Sequence, residues 1–155
     1  MMNKFLIDGN NLIWKIPELK NLQKDESTRT SAREKLIFKL QRLSAEKRIK
    51  ITLFFDGAPH AKLGGNVQVE YSYERKADEL IREAIDKLKT KRTTTVVSSD
   101  RWITDYAKVN GCKVLTSDEF FASLVKKKEE KELDKEVLAR DLLDEDWEDI
   151  FGENS

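Results

Sequence analysis

Cysteine is almost missing: Cys112 stands alone in 155 residues, and a lone thiol forms no internal disulfide. That excludes a disulfide-stapled scaffold and makes a reducing cytoplasm the default compartment, with Cys112 as a small core residue. Histidine is as scarce. His60, the only one, follows Pro59 in a loop and reads as a surface residue rather than a base. No His, Cys or Lys arrangement therefore offers nucleophilic or zinc chemistry. Long apolar runs are also lacking. None approaches the roughly 20 residues that span a bilayer, and Met1-Met2-Asn3-Lys4 leads into a strand without a signal-peptide core.

Net charge is zero, with 29 basic and 29 acidic residues, but the zero hides an asymmetry. Residues 129–155 hold 12 acids and 3 bases, which leaves 26 bases against 17 acids in residues 1–128. A basic body with an acidic tail suits a nucleic-acid binder. An ordinary solvated surface with a disordered end has the same composition, and composition alone leaves both readings open.

The length suits one domain with a real core, and 39% hydrophobic with 37% charged residues suits a heavily solvated globular chain. The body, 1–128, reads as that domain, and 129–155 as an acidic extension. Leu133, Val137, Leu138 and Leu142 near helical spacing extend the last helix into it, and the end beyond Asp144 is expected to be mobile. There is no internal repeat.

One device recurs along the body: a short apolar run that ends on Asp. Phe5-Leu6-Ile7 runs into Asp8-Gly9-Asn10-Asn11, with Gly9-Asn10 read as a sharp exit. Residues 51–55 run into Asp56-Gly57, and Thr95-Val96-Val97-Ser98-Ser99 runs into Asp100. Val67-Gln68-Val69-Glu70-Tyr71 alternates as a half-exposed edge strand, and 113–116 is a last strand. Between strands, Leu36, Ile37, Leu40 and Leu43 predict a helix over 31–47, opened by a Ser31/Glu34 capping box. A polar loop is expected from Pro17 to Thr30. Further helices start near Lys76, at Asp100 (closing at Asn110-Gly111) and at Asp118, the last with Asp118 as cap. Strands alternating with helices imply right-handed crossovers and an α/β fold with a mostly parallel sheet.

In such a sheet, strand carboxyl ends and helix starts share one rim, where open α/β folds place ligands. Asp8, Asp56 and Asp100 arrive there from strands, and Asp78, followed by Glu79, from the first turn of a helix. Each has a structural explanation singly, as a cap or a dipole partner. Crowded together, four carboxylates repel unless a cation neutralises them, and an oxygen-only set selects Mg²⁺ or Mn²⁺. Such a site suits phosphodiester hydrolysis. Arg29, Arg33, Lys62, Arg75, Lys76 and Arg101, in loops or at helix starts, are placed to hold backbone phosphates.

Asp8-Gly9-Asn10-Asn11, Phe55-Asp56-Gly57, Ala77-Asp78-Glu79 and Ser98-Ser99-Asp100, in that order, resemble the motif set of NYN domains. The similarity is to the YacP-like branch within the PIN-like nuclease superfamily, over roughly residues 3–128. The resemblance implies a PIN-like three-layer sandwich and a metal-dependent endoribonuclease, with RNA as partner and relatives associated with ribosomes and mRNA decay. It maps Asp8, Asp78 and Asp100 to metal-binding catalytic positions and Asp56 to a motif acid beside them. Asn10, Asn11 and Glu79 are candidates for orienting ligands or substrate. The acidic tail departs from the basic extension such relatives carry. The leading reading is an endoribonuclease acting on single-stranded RNA; a non-catalytic RNA- or ribosome-binding module and a DNA-directed nuclease of the same chemistry are the alternatives.

Overall fold

The computed structural model describes residues 3–59 and 65–136. His60 and Lys62 lie outside them, as does the tail beyond Glu136, whose expected mobility is therefore not described. Five strands form one sheet in the order β3-β2-β1-β4-β5: β1 (Lys4–Asp8), β2 (Lys50–Phe55), β3 (Val67–Tyr71), β4 (Thr94–Val97) and β5 (Lys113–Leu115). Every pairing is parallel, and β1 is central, with Ile7 opposite Leu53 on one side and Val97 on the other.

Alternation along β1 divides the core. Phe5 and Ile7 face one layer with Ile51, Leu53 and Phe55, covered by α1 (Gly9–Ile13), α2 (Pro17–Lys24), α3 (Arg29–Lys47) and the start of α6 (Ser117–Glu136). Leu6 faces the other with Phe54 and Val96, covered by α4 (Ala77–Lys87) and α5 (Arg101–Val109). A strand buried on both faces is what an unbroken apolar run such as Phe5-Leu6-Ile7 requires. The connection direction reverses on either side of β1, so the carboxyl end of β1 is the topological switch point of the sheet.

Three expectations about helix starts are corrected. The stretch after Pro17 is not a loop: Pro17 opens α2, where its missing N–H costs nothing, and Leu19 and Gln23 turn inward. Ser31 lies inside α3, which begins at Arg29 after a short 3₁₀ turn over Glu26–Thr28, so the Ser31/Glu34 box does not form. At α6 the capping box belongs to Thr116 and Glu119. The Glu119 N–H donates to Thr116 Oγ1 at 3.0 Å and the Thr116 N–H to Glu119 Oε1 at 2.8 Å, leaving Asp118 in the first turn rather than at the cap.

Candidate active site

The rim is assembled from the carboxyl end of β1 outward. Asp8 caps α1, with Oδ1 accepting from the Asn11 N–H at 3.3 Å. The next residue must be glycine, for close approach rather than for a left-handed turn. A Cβ on Gly9 would stand 2.5 Å from Phe55 Cε1 and 2.8 Å from the Phe54 carbonyl oxygen. Gly9 thus lets α1 start hard against the end of β2, beside Asp56.

Asn10 and Asn11 then tie the strand ends together. Asn10 Oδ1 accepts the Asp56 N–H at 2.7 Å, which links β1 to β2. Asn11 Oδ1 accepts the Ser99 N–H at 2.9 Å and the Ser117 hydroxyl at 2.5 Å, which links β1 to the loop after β4 and to α6. Both amide oxygens are occupied in holding the rim. The two asparagines, candidates for touching substrate, are placed as its braces.

Ser98 is a residue whose role the sequence reading missed. It is fully buried, its hydroxyl donates to Asp8 Oδ2 at 3.3 Å, and its Oγ accepts the Asp100 N–H at 3.0 Å. One hydroxyl therefore sets Asp8 and Asp100 relative to each other. Its signal was present in the motif Ser98-Ser99-Asp100, where a small hydroxyl precedes the acid.

The carboxylates divide by what they already hold. Asp100 is solvent-facing and caps α5, accepting the Trp102 N–H at 2.9 Å. Asp56 Oδ1 accepts the Ala77 N–H at 2.8 Å, fastening the start of α4 to the end of β2 and so setting where Asp78 stands. Asp78 Oδ1 is buried and has no hydrogen-bond donor. Asp8 has its pKa raised from 3.8 to about 6. Burial is the main cause, the Asn11 and Ser98 hydrogen bonds oppose it, and the charges of Asp56 and Asp100 add to it. Asp56 and Asp100 thus both act on Asp8, whereas Asp78 enters from α4.

The basic residues are less uniform than their sequence positions promise. Arg33 is a correction: it is 8% exposed rather than on the rim. Its guanidinium lies over Phe55 and Tyr71, 5.1 and 5.9 Å from the ring centroids, and Nη2 donates to the Asp56 carbonyl at 3.1 Å. It braces Asp56 from below, and burial lowers its pKa. Arg75 is engaged by Glu79 at 3.2 Å and by Glu83, which also commits Glu79 to an ion pair. Arg29 donates to the Gln23 carbonyl at 3.0 Å. Lys76 and Arg101 fit the expectation best, exposed at the starts of α4 and α5 beside Asp78 and Asp100.

Among the described residues, no three His, Cys, Asp or Glu side chains stand close enough together to hold a metal ion by themselves. The donor chemistry nonetheless fits a hard divalent cation. It is all oxygen, it includes an acceptor on Asp78 without a donor, and its central carboxyl is burdened by burial and like charge. Mg²⁺ is held through one or two carboxylates, retained water and substrate phosphate, and needs no complete protein cage.

A parallel sheet in this order, with acids at the ends of β1, β2 and β4 and at the start of α4, defines a PIN-like α/β domain. The chain belongs to the YacP-like NYN domain family, whose model matches residues 5–150, past the point where the motifs end. Two solved structures of Rae1 (YacP) from Bacillus subtilis share the fold. One, a mutant form, is 24% identical with a TM-score of 0.71, over 93% of this chain and 89% of that one. The other is 23% identical with a TM-score of 0.67, over 97% and 93%. No curated protein matches the sequence. Family membership supports an RNA-related, nuclease-type function. Among the described residues no helix is long and apolar enough to cross a membrane.

Proposed function

We propose that this protein is a cytoplasmic endoribonuclease that hydrolyses phosphodiester bonds in RNA with Mg²⁺ or Mn²⁺. The family resemblance points to mRNA near the ribosome as the setting. The observation that carries the reading is Asp8: a carboxyl at the switch point of the sheet, burdened by Asp56 and Asp100 and braced by Ser98 and Asn11. A pure binding module gains nothing from like charges gathered where phosphates would lie.

Asp8, Asp78 and Asp100 would share the cation with water and substrate phosphate rather than cage it, and the cation would lower the pKa of water and offset charge on the leaving oxygen. Asp56 holds α4 in place and adds negative potential. Asn10, Asn11, Ser98 and Arg33 keep the strand ends in register, so that the carboxylates are oriented before substrate arrives. Lys76 and Arg101 meet the phosphates on either side, which gives affinity without base readout.

The test is incubation of a radiolabelled RNA pool with the full chain, with and without Mn²⁺, beside Asp8→Asn. Asparagine keeps the cap on α1, so loss of cleavage by at least about 100-fold would come from chemistry rather than folding. Cleavage that is unchanged in Asp8→Asn, or independent of the metal, overturns the proposal. A parallel DNA pool separates RNA from DNA as substrate.

A further inference from the structure

The rim carries two exposed aromatic side chains that the hydrolytic scheme does not use. Trp102 is 50% exposed and Tyr73 64%. A single exposed ring is ordinary, and Trp14 and Phe38 are exposed as well. The placement of Trp102 and Tyr73 argues for a use. Trp102 lies in the first turn of α5, and its N–H is the group capped by Asp100. Tyr73 pairs with Gly57, one residue beyond Asp56, and its N–H donates to the Gly57 carbonyl at 2.6 Å. In the sheet order, β2 and β4 lie on opposite sides of β1. Tyr73, just past β3, is thus bridged to the residue after Asp56, and Trp102 stands two residues after Asp100, so the two approach the rim from opposite sides of β1.

The Trp102 ring is mounted rather than merely exposed, and the Tyr73 backbone is held in place. The Arg82 guanidinium lies 4.1 Å from the Trp102 ring centroid and 4.3 Å from that of Tyr106. Arg82 is one helical turn from Asp78 on α4, so the Trp102 ring is held against the helix that brings Asp78 to the rim. A cation behind one face of an indole fixes its plane and leaves the rest of the ring to solvent. Tyr73 is held at φ 57°, one of two non-glycine residues with positive φ among those described. A non-glycine residue stays there only where its surroundings enforce it, and such positions gather at functional sites.

We propose that Trp102 and Tyr73 are the stacking surfaces by which the site holds the bases of its expected single-stranded RNA, on either side of the scissile phosphate. The inference rests on the nuclease reading for the identity of the ligand. Stacking requires bases free of a partner, and a duplex keeps its bases paired inside. Each ring accepts any base, so the selectivity is for strandedness and not for sequence.

The experiment uses the full chain carrying Asp8→Asn, to block turnover, and a short oligouridylate in three forms: intact, with one central abasic nucleotide, and annealed to its complement. Affinity is read by tryptophan fluorescence and by competition. The intact single strand is expected to bind about 5- to 100-fold more tightly than the abasic one, the span of one lost stack. The duplex should bind no better than the abasic strand. Adding Trp102→Ala should erase the intact-versus-abasic difference, and Trp102→Phe, which keeps a ring over Arg82, should restore most of it. A Trp102→Ala chain that melts normally and still discriminates overturns the inference, as does one that loses both strands equally. Cleavage of the same intact strand by the wild-type chain in Mn²⁺ separates the two readings. Cleavage without discrimination sinks stacking alone, and discrimination without cleavage sinks the nuclease alone. Absence of binding to every form sinks both.

Discussion

Asp8 carries the largest local conflict in the described chain. The proposed cation would need its carboxyl ionised, yet burial and two neighbouring acids hold its proton up to about pH 6. The unfolded carboxyl releases that proton near 3.8, so between these values the folded state binds more protons and loses stability as pH rises. Asp8→Asn removes that loss while retaining the cap on α1. In metal-free protein the variant should gain on wild type from about pH 4 to about pH 6 and keep the advantage above it. The gain should be about 1–3 kcal/mol after allowing for solvent near the site. Urea melts across that range check it; parallel stability curves at every pH would show that Asp8 is not strained. The place of Asp8 on the rim was legible because an apolar run ended on it. Ser98 was not, since a serine beside an acid is ordinary until the fold buries it against one. Arg33 was misjudged for a related reason. An arginine near a helix start reads as a rim residue, and only the rings of Phe55 and Tyr71 against its guanidinium show otherwise.

At the scale of elements, the site depends on fastening α4 to β2. The Asp56 side chain supplies that fastening by accepting the Ala77 N–H, and the start of α4 has no cap from its own Lys76 side chain. Asp56→Ala should therefore cost about 0.5–2 kcal/mol, as lost helix caps do, and should also lower cleavage by loosening Asp78. Asp56→Asn keeps an acceptor in place, so it should preserve the melting temperature and retain cleavage within a few-fold. A cleavage loss in Asp56→Asn as deep as in Asp8→Asn would instead make Asp56 a ligand. Strands and long helices were readable from their periodicity, whereas helix starts were not. Pro17 serves equally as a stop and as a first helical residue, and only the inward turn of Leu19 decides. Ser31 and Glu34 have the spacing of a capping box but lie one turn too late, because α3 already begins at Arg29.

For the molecule as a whole, acids brought to one rim from both sides of β1 make the sheet a scaffold for charge that it cannot neutralise alone. The parallel order was foreseeable from strands alternating with helices. The strand neighbours were not, because nothing local says that β2 and β4 both pair with β1. The central claim is that the gathered charge exists for a cation and the hydrolysis it supports. Asp78 tests this most cleanly, since its buried Oδ1 has no hydrogen-bond donor and its loss should leave the fold alone. The measurement is the initial rate of single-stranded RNA cleavage across a Mn²⁺ titration, for the wild-type chain and for Asp78→Asn. The account predicts a saturable, metal-dependent rate in the wild type and a loss of about 100-fold or more in Asp78→Asn, with an unchanged or slightly raised melting temperature. Rates that agree within about twofold, or cleavage that persists in chelator, would contradict it.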